Sequence, residues 1–134
     1  MARKQPLPPQ PIAVAFGLLQ DGERALFLTR KNSLGAEEIT LPHIRILPGE
    51  NTVSSLTSAF LLQTGIDGQV HEILFEKRCN SGTRKRTHWI PVLVFQVSAK
   101  SPSARPPPEY SGYKWLARDA AVKMKLAKEA QWLY

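Results

Sequence analysis

Two carboxylates and one cluster of cations are the residues of this chain that could do chemistry. Glu50 opens the segment "PGENTVSSLTSAFLLQTGI" (48–66), and Glu109 sits in the proline-rich stretch "RPPPEYSGYKW" (105–115). Carboxylate oxygens are hard donors, suited to Mg²⁺ and through it to phosphate esters. Glu72 and Glu76 are further donors of the same kind. Lys77, Arg78, Arg84, Lys85 and Arg86 flank one short connection, "CNSGTRKRTH" (79–88). Such a cluster suits phosphate oxygens, and Tyr110 and Tyr113 could add ring faces on which bases stack. Trp89 and Trp115 read as core. Cys79 follows Lys77 and Arg78, and cationic neighbours can lower a thiol pKa, although the sequence offers it no base. His43, His71 and His88 lack cysteine or acidic partners at metal-ligand spacing. There is no G-x-x-x-x-G-K-[ST] phosphate loop and no G-x-S-x-G elbow.

The elements that must position these residues follow from patterning. The β-branched and apolar run 11–19 reads as a buried strand, Asp21-Gly22 as a hairpin turn, and 24–30 as its returning partner. Residues 39–46 form a short extended piece broken by Pro42. In 47–66, Asn51 is a good helix N-cap, and Val53, Leu56, Ala59, Phe60 and Gln63 lie on one face. Gly65 is the expected stop, so the spacing predicts a helix over 52–64. Residues 66–78 and 87–99 predict two strands paired through the basic loop. Residues 113–117 are short and extended. The stretch 118–134 predicts a final helix, its firm part 119–130, capped by Asp119, with Lys123, Lys125 and Lys128 facing solvent. Strands, helix, strands and helix in that order imply α/β (α+β) architecture, a mixed sheet between two helices. The expected organisation is a flexible proline-rich lead-in at 1–10 and a single domain over 11–134.

The chain resembles the Nudix hydrolase superfamily over nearly its whole length, with the nearest feel to the diadenosine tetraphosphate hydrolase and RNA-decapping branch. The family pattern is G-x5-E-x7-R-E-U-x-E-E-x-G-U, with U a bulky aliphatic residue. Here "LPHIRILPGENTVSSLTSAFLLQTGI" places Leu41-Pro42, Pro48-Gly49-Glu50 and Gly65-Ile66 at the family's spacing, and "PEYSGYKWLARDAA" resembles the approach to its last helix. The resemblance implies a Nudix-like α/β/α sandwich, often dimeric, and a Mg²⁺-assisted attack of water on a diphosphate. It also implies that Glu50 and Glu109 match functional glutamates. The remaining positions depart. Ile44 stands at the first glycine, Ser58 at the arginine, and Ala59, Leu62 and Gln63 at the helix glutamates. An apolar pair and a neutral amide cannot supply the charge that Mg²⁺ requires.

Hydrophobic residues make up 43% of 134, enough for a core, and the net charge of +7 favours anionic partners. The single cysteine excludes an intrachain disulfide and fits a reducing, cytoplasmic setting. No membrane-length apolar run and no signal-peptide pattern is present. The reading is a Nudix-like protein with a degenerate motif that binds a nucleotide or RNA without a cofactor. Arg78, Arg84, Lys85, Arg86 and Tyr110 are the candidate ligand contacts, and a homodimer or larger assembly is a further expectation. The alternatives are an atypical hydrolase, the one case that needs Mg²⁺, built on Glu50, Glu109, Glu72 or Glu76, and a purely structural interaction domain.

Overall fold

A computed structural model describes residues 10–80, 82–101 and 103–126. The lead-in at 1–9 and the end of the expected final helix, 127–134, lie outside the described residues.

The first hairpin organises everything else. β1 (Ala13–Asp21) and β2 (Arg24–Lys31) turn at Gly22, whose φ of 64° explains the glycine. The two strands pair only at Gln20↔Ala25 and Asp21↔Arg24 and then diverge. β1 leaves to pair antiparallel with β4 (His43–Ile46) and parallel with β6 (Trp89–Ala99). β2 leaves to pair antiparallel with β3 (Glu37–Thr40) and β7 (Gly112–Ala117). β5 (Gly68–Asn80) pairs antiparallel with β6 and is the terminal strand, its register broken between Val70 and Ile73 and again between Ile73 and Phe75. The result is a mixed seven-stranded sheet, split into two wings that share the tip of one hairpin.

The helix α1 (Thr52–Thr64) forms where the sequence places it. Asn51 adopts an extended conformation and its Oδ1 accepts from the Ser54 N–H at 3.0 Å, a genuine N-cap. Gly65, at φ 73°, ends the helix in the left-handed conformation, with its N–H donating to the Leu61 carbonyl. Leu56, Ala59, Phe60 and Thr64 are the buried face, while Val53, expected there, is exposed. Phe60 packs with Leu19, Leu26 and Val97, and Leu56 with Ala13, Ala15 and Phe95. Gly17 and Gly68 lie beneath the Phe60 ring. A β-carbon at either would come within 2.8–3.1 Å of that ring, so the strands carry no side chain where it rests.

The far face of the sheet is closed by Val14, Phe16, Phe27, Leu41, Val92 and Val94 with Ala121. Ala121 belongs to α2 (Arg118–Ala121), which is where the sequence expectation fails. The final helix does not run from 119 to at least 126. Its N-cap is Ala117, not Asp119, which accepts from the Ala120 N–H in the first turn. Beyond Ala121 the backbone turns and Leu126 bridges to Ile39, whose N–H donates to the Lys125 carbonyl at 2.9 Å. Met124 and Leu126 thereby reach the core from non-helical backbone. A tertiary contact overrides a favourable local pattern. Lys123 and Lys125 are exposed without a helix to present them.

Replacing Asn51 by alanine removes the side-chain N-cap of α1 and should cost about 1 kcal/mol, measured by urea denaturation. Val53→Ala, on the exposed side of the same turn, should stay within about 0.5 kcal/mol.

Candidate functional site

The loop into α1 is built around Glu50. Its Oε1 accepts from the Leu47 N–H at 2.7 Å, and its own N–H donates to the Leu47 carbonyl at 3.1 Å. Gly49, at φ 85°, makes that reversal accessible. Glu50 is exposed, but one carboxylate oxygen holds a turn.

Along α1, the positions that the resemblance marks for carboxylates do three different things. Ala59 is 4% exposed and packs into the core, whereas Leu62 is 75% exposed. Gln63 is half-buried and clamps β4. Its Oε1 accepts from the His43 N–H at 3.0 Å, and its Nε2 donates to the His43 carbonyl at 2.6 Å. Both halves of the amide are required, because one backbone group is a donor and the other an acceptor. His43 is fixed further by its ring. A carbonyl only accepts, so Nδ1 carries a proton and donates to the Leu41 carbonyl at 2.9 Å. The same ring stacks on Phe16 at a centroid distance of 5.0 Å. Ile44 follows in ordinary extended backbone, paired with Ala15.

Leu41 carries this chain of contacts to a cleft. Where β1 and β2 diverge, a cavity of about 460 Å³ opens between the wings. Its apolar walls include Leu18, Phe27, Leu41, Val94 and Leu116, and its charged lining is Glu23, Glu76, Lys77 and Arg118. A concave apolar site with a few polar groups is the ordinary form of a small-ligand pocket. Glu23 and Arg118 were not legible as site residues, because each lies at an element boundary with no motif around it. Both belong to the rim only because β7 returns beside β2.

The basic residues lie along the hairpin that joins β5 to β6. Arg78 pairs across to Pro91 near the end of β5, and Arg84, Lys85 and Arg86 lie exposed in the connection to β6. Lys77 belongs to the cleft as well as to this hairpin. Tyr110 belongs to another strand pair. It is half-buried in the loop before β7, where the neighbouring Ser111 N–H donates to the Thr29 carbonyl. Glu109 is exposed in the same turn, and Glu72 is exposed on β5. Trp89, expected in the core, is instead 59% exposed at the first position of β6. Trp115 is half-buried against the Phe60 cluster. For Cys79, burial pushes the thiol up from the usual range, opposed by the facing Arg45 guanidinium. The cations adjacent in sequence do not set its chemistry.

Among the described residues, no three His, Cys, Asp or Glu side chains converge as a metal site. The donor set around α1 does not fit Mg²⁺. Ala59 and Leu62 have no donor atom, Gln63 is committed to His43, and Glu50 is half committed to Leu47.

With this geometry in hand, solved structures give the architecture its name. The Nudix domain of Shewanella oneidensis NrtR, complexed with ADP ribose, is 18% identical, with a TM-score of 0.64 over 92% of this chain and 84% of that one. The fold is the Nudix fold. A possible asymmetric diadenosine tetraphosphate hydrolase from Jonesia denitrificans matches at 14% identity and a TM-score of 0.71, covering 92% and 91%. The Escherichia coli dihydroneopterin triphosphate pyrophosphohydrolase matches at 15% identity and 0.65, covering 90% of each chain. No protein-family model and no curated protein matches the sequence. Among the described residues of this Nudix fold, no helix is long and apolar enough to cross a membrane.

Two predictions follow from the site. Gln63→Glu keeps an acceptor for the His43 N–H but sets a carboxylate oxygen against the His43 carbonyl. At pH 7 the variant should lose about 1–3 kcal/mol of stability. The repulsion raises the folded-state pKa of the introduced carboxyl above its unfolded value of about 4.3. The loss is therefore full above the folded pKa, fades as pH falls from the folded pKa to the unfolded one, and is gone once pH lies below both, which urea midpoints relative to the parent protein at pH 7 and pH 4 would check. Cys79, with its pKa raised, should be alkylated by iodoacetamide at pH 8 more slowly than a free peptide thiol, and equally fast in urea.

Proposed function

We propose that this chain is a Nudix-fold protein that binds a nucleotide or RNA and does not carry out metal-dependent hydrolysis by the motif helix. The observation that carries the reading is the Gln63 amide, whose two bonds to the His43 backbone use the position where the family motif has a glutamate. Ala59 and Leu62 support it, since neither offers an oxygen to a cation. The cleft supports the binding half. It pairs an apolar interior with Lys77 and Arg118 on its rim, a combination that suits a base or sugar inside and phosphate at the mouth. The neighbours that act on dinucleoside polyphosphates or bind ADP ribose lend the same fold to such ligands.

A second reading draws on Glu23 and Glu76, which line the cleft together. They are the carboxylates from which a relocated hydrolytic site would be built.

A nucleoside diphosphate added at about one hundred times its Kd should stabilise the protein by about 2.7 kcal/mol, read as a rise in Tm of several degrees. Lys77→Ala combined with Arg118→Ala should remove most of that rise. With Mg²⁺ present, release of product from nucleoside diphosphate derivatives, dinucleoside polyphosphates or capped RNA should stay at background. Robust turnover abolished by Glu76→Gln, Glu50→Gln or Glu109→Gln would overturn the non-catalytic reading and establish a relocated site.

A further inference from the structure

The hairpin joining β5 and β6 carries an exposed indole, Trp89, beside its cations. In an antiparallel pair, directly opposed residues share a face and diagonal neighbours are within reach of long side chains. Asn80 opposes Trp89 and Arg78 opposes Pro91, so the Arg78 and Trp89 side chains stand on one face as diagonal neighbours. Ile90 and Val92 point the other way, into the core. Trp89 is 59% exposed, on the face of the hairpin that carries Arg78.

The loop above it is built rather than loose. Asn80 Oδ1 accepts from the N–H groups of Gly82 and His88, each at 2.9 Å, and its Nδ2 donates to the Thr83 carbonyl. The Thr83 N–H donates to the Arg86 carbonyl at 2.9 Å, and the Arg86 N–H returns to Thr83 Oγ1 at 3.0 Å. Arg84 and Lys85 are thereby held at the apex. Gly82 completes the closure, since a β-carbon there would collide with the Arg86 carbonyl oxygen.

We infer that this hairpin is a binding site for single-stranded polynucleotide, with one base stacked on Trp89 and the flanking phosphates held by Arg78, Arg84, Lys85 and Arg86. An indole face accepts any base, and cations spaced around it track a backbone. A duplex keeps its bases stacked on one another and cannot offer one to the indole. The inference rests on the nucleotide- or RNA-binding part of the proposed function and is independent of what the cleft holds.

The test is fluorescence anisotropy of the full chain with labelled oligouridylate of about ten nucleotides, its deoxythymidylate counterpart and a duplex of equal length. Single strands should bind more tightly than the duplex. Trp89→Ala should weaken single-strand binding by about tenfold and leave duplex binding unchanged. Trp89→Phe should restore most of the loss, with an unchanged Tm establishing that each variant folds. Arg84→Ala, Lys85→Ala and Arg86→Ala together should flatten the salt dependence of affinity. A preference for the ribose or the deoxyribose strand identifies the source, and either supports the site. Equal binding of strand and duplex, or an affinity untouched by Trp89→Ala, would overturn it. If nucleotide no longer shifts the Tm but Trp89-dependent strand binding persists, the cleft reading fails and the hairpin site stands. The converse result removes the hairpin site alone.

Discussion

The Phe60 ring, seated on two strands that have no side chain beneath it, is the contact on which the rest depends. It ties α1 to β1 at Gly17 and to β5 at Gly68 in one step, and with Leu56 it fixes the helix's rotation about its axis. Once that rotation is set, the next residues have no freedom of role. Ala59 must go inward, Leu62 outward, and Gln63 toward the backbone of β4. Packing of this kind tolerates little change of volume. The chemistry of the helix face is therefore a consequence of where one aromatic side chain rests.

The second constraint is the brevity of the β1–β2 pairing. Two strands joined by a tight turn ordinarily zip along their length. Here they separate after two register pairs, because each has better partners elsewhere. The wedge between them is the cleft, and its floor comes from residues facing inward on both wings. Leu41 lies at the junction, touching the cleft and accepting from the His43 ring that α1 holds. The wedge and α1 are thus joined by one run of contacts, from Leu41 through His43 to Gln63.

Much of this was legible in the residues. Asn51 and Gly65 delimited α1 correctly, since caps are local chemistry. The alternating and β-branched runs located the strands, and the arginines at the ends of two of them foretold a cationic hairpin. What escaped the sequence was decided at long range. The final helix was misjudged because Leu126 is drawn to Ile39, a partner far away in the chain. Trp89 was misplaced because it begins a strand whose next residues are core, and only the hairpin's geometry turns it outward. Gln63 read as a weakened carboxylate, since its true partners are backbone atoms of His43, and backbone atoms leave no signature in a sequence.

β5 has one further consequence, for the behaviour of the protein at high concentration. Among the described residues it is the terminal strand and presents backbone groups along its outer edge, with Ile73, Leu74 and Phe75 partly exposed beside them. Such an edge is a template for the same strand of another molecule. Two things oppose this. The register breaks around Ile73 spoil the regular repeat that a pairing strand would need, and the net charge of +7 keeps molecules apart. The first defence is geometric and permanent. The second is electrostatic and decays over a Debye length of about 10 Å at 0.1 M salt. Colloidal stability of this chain is therefore a property of the buffer as much as of the fold, greatest where ions are few.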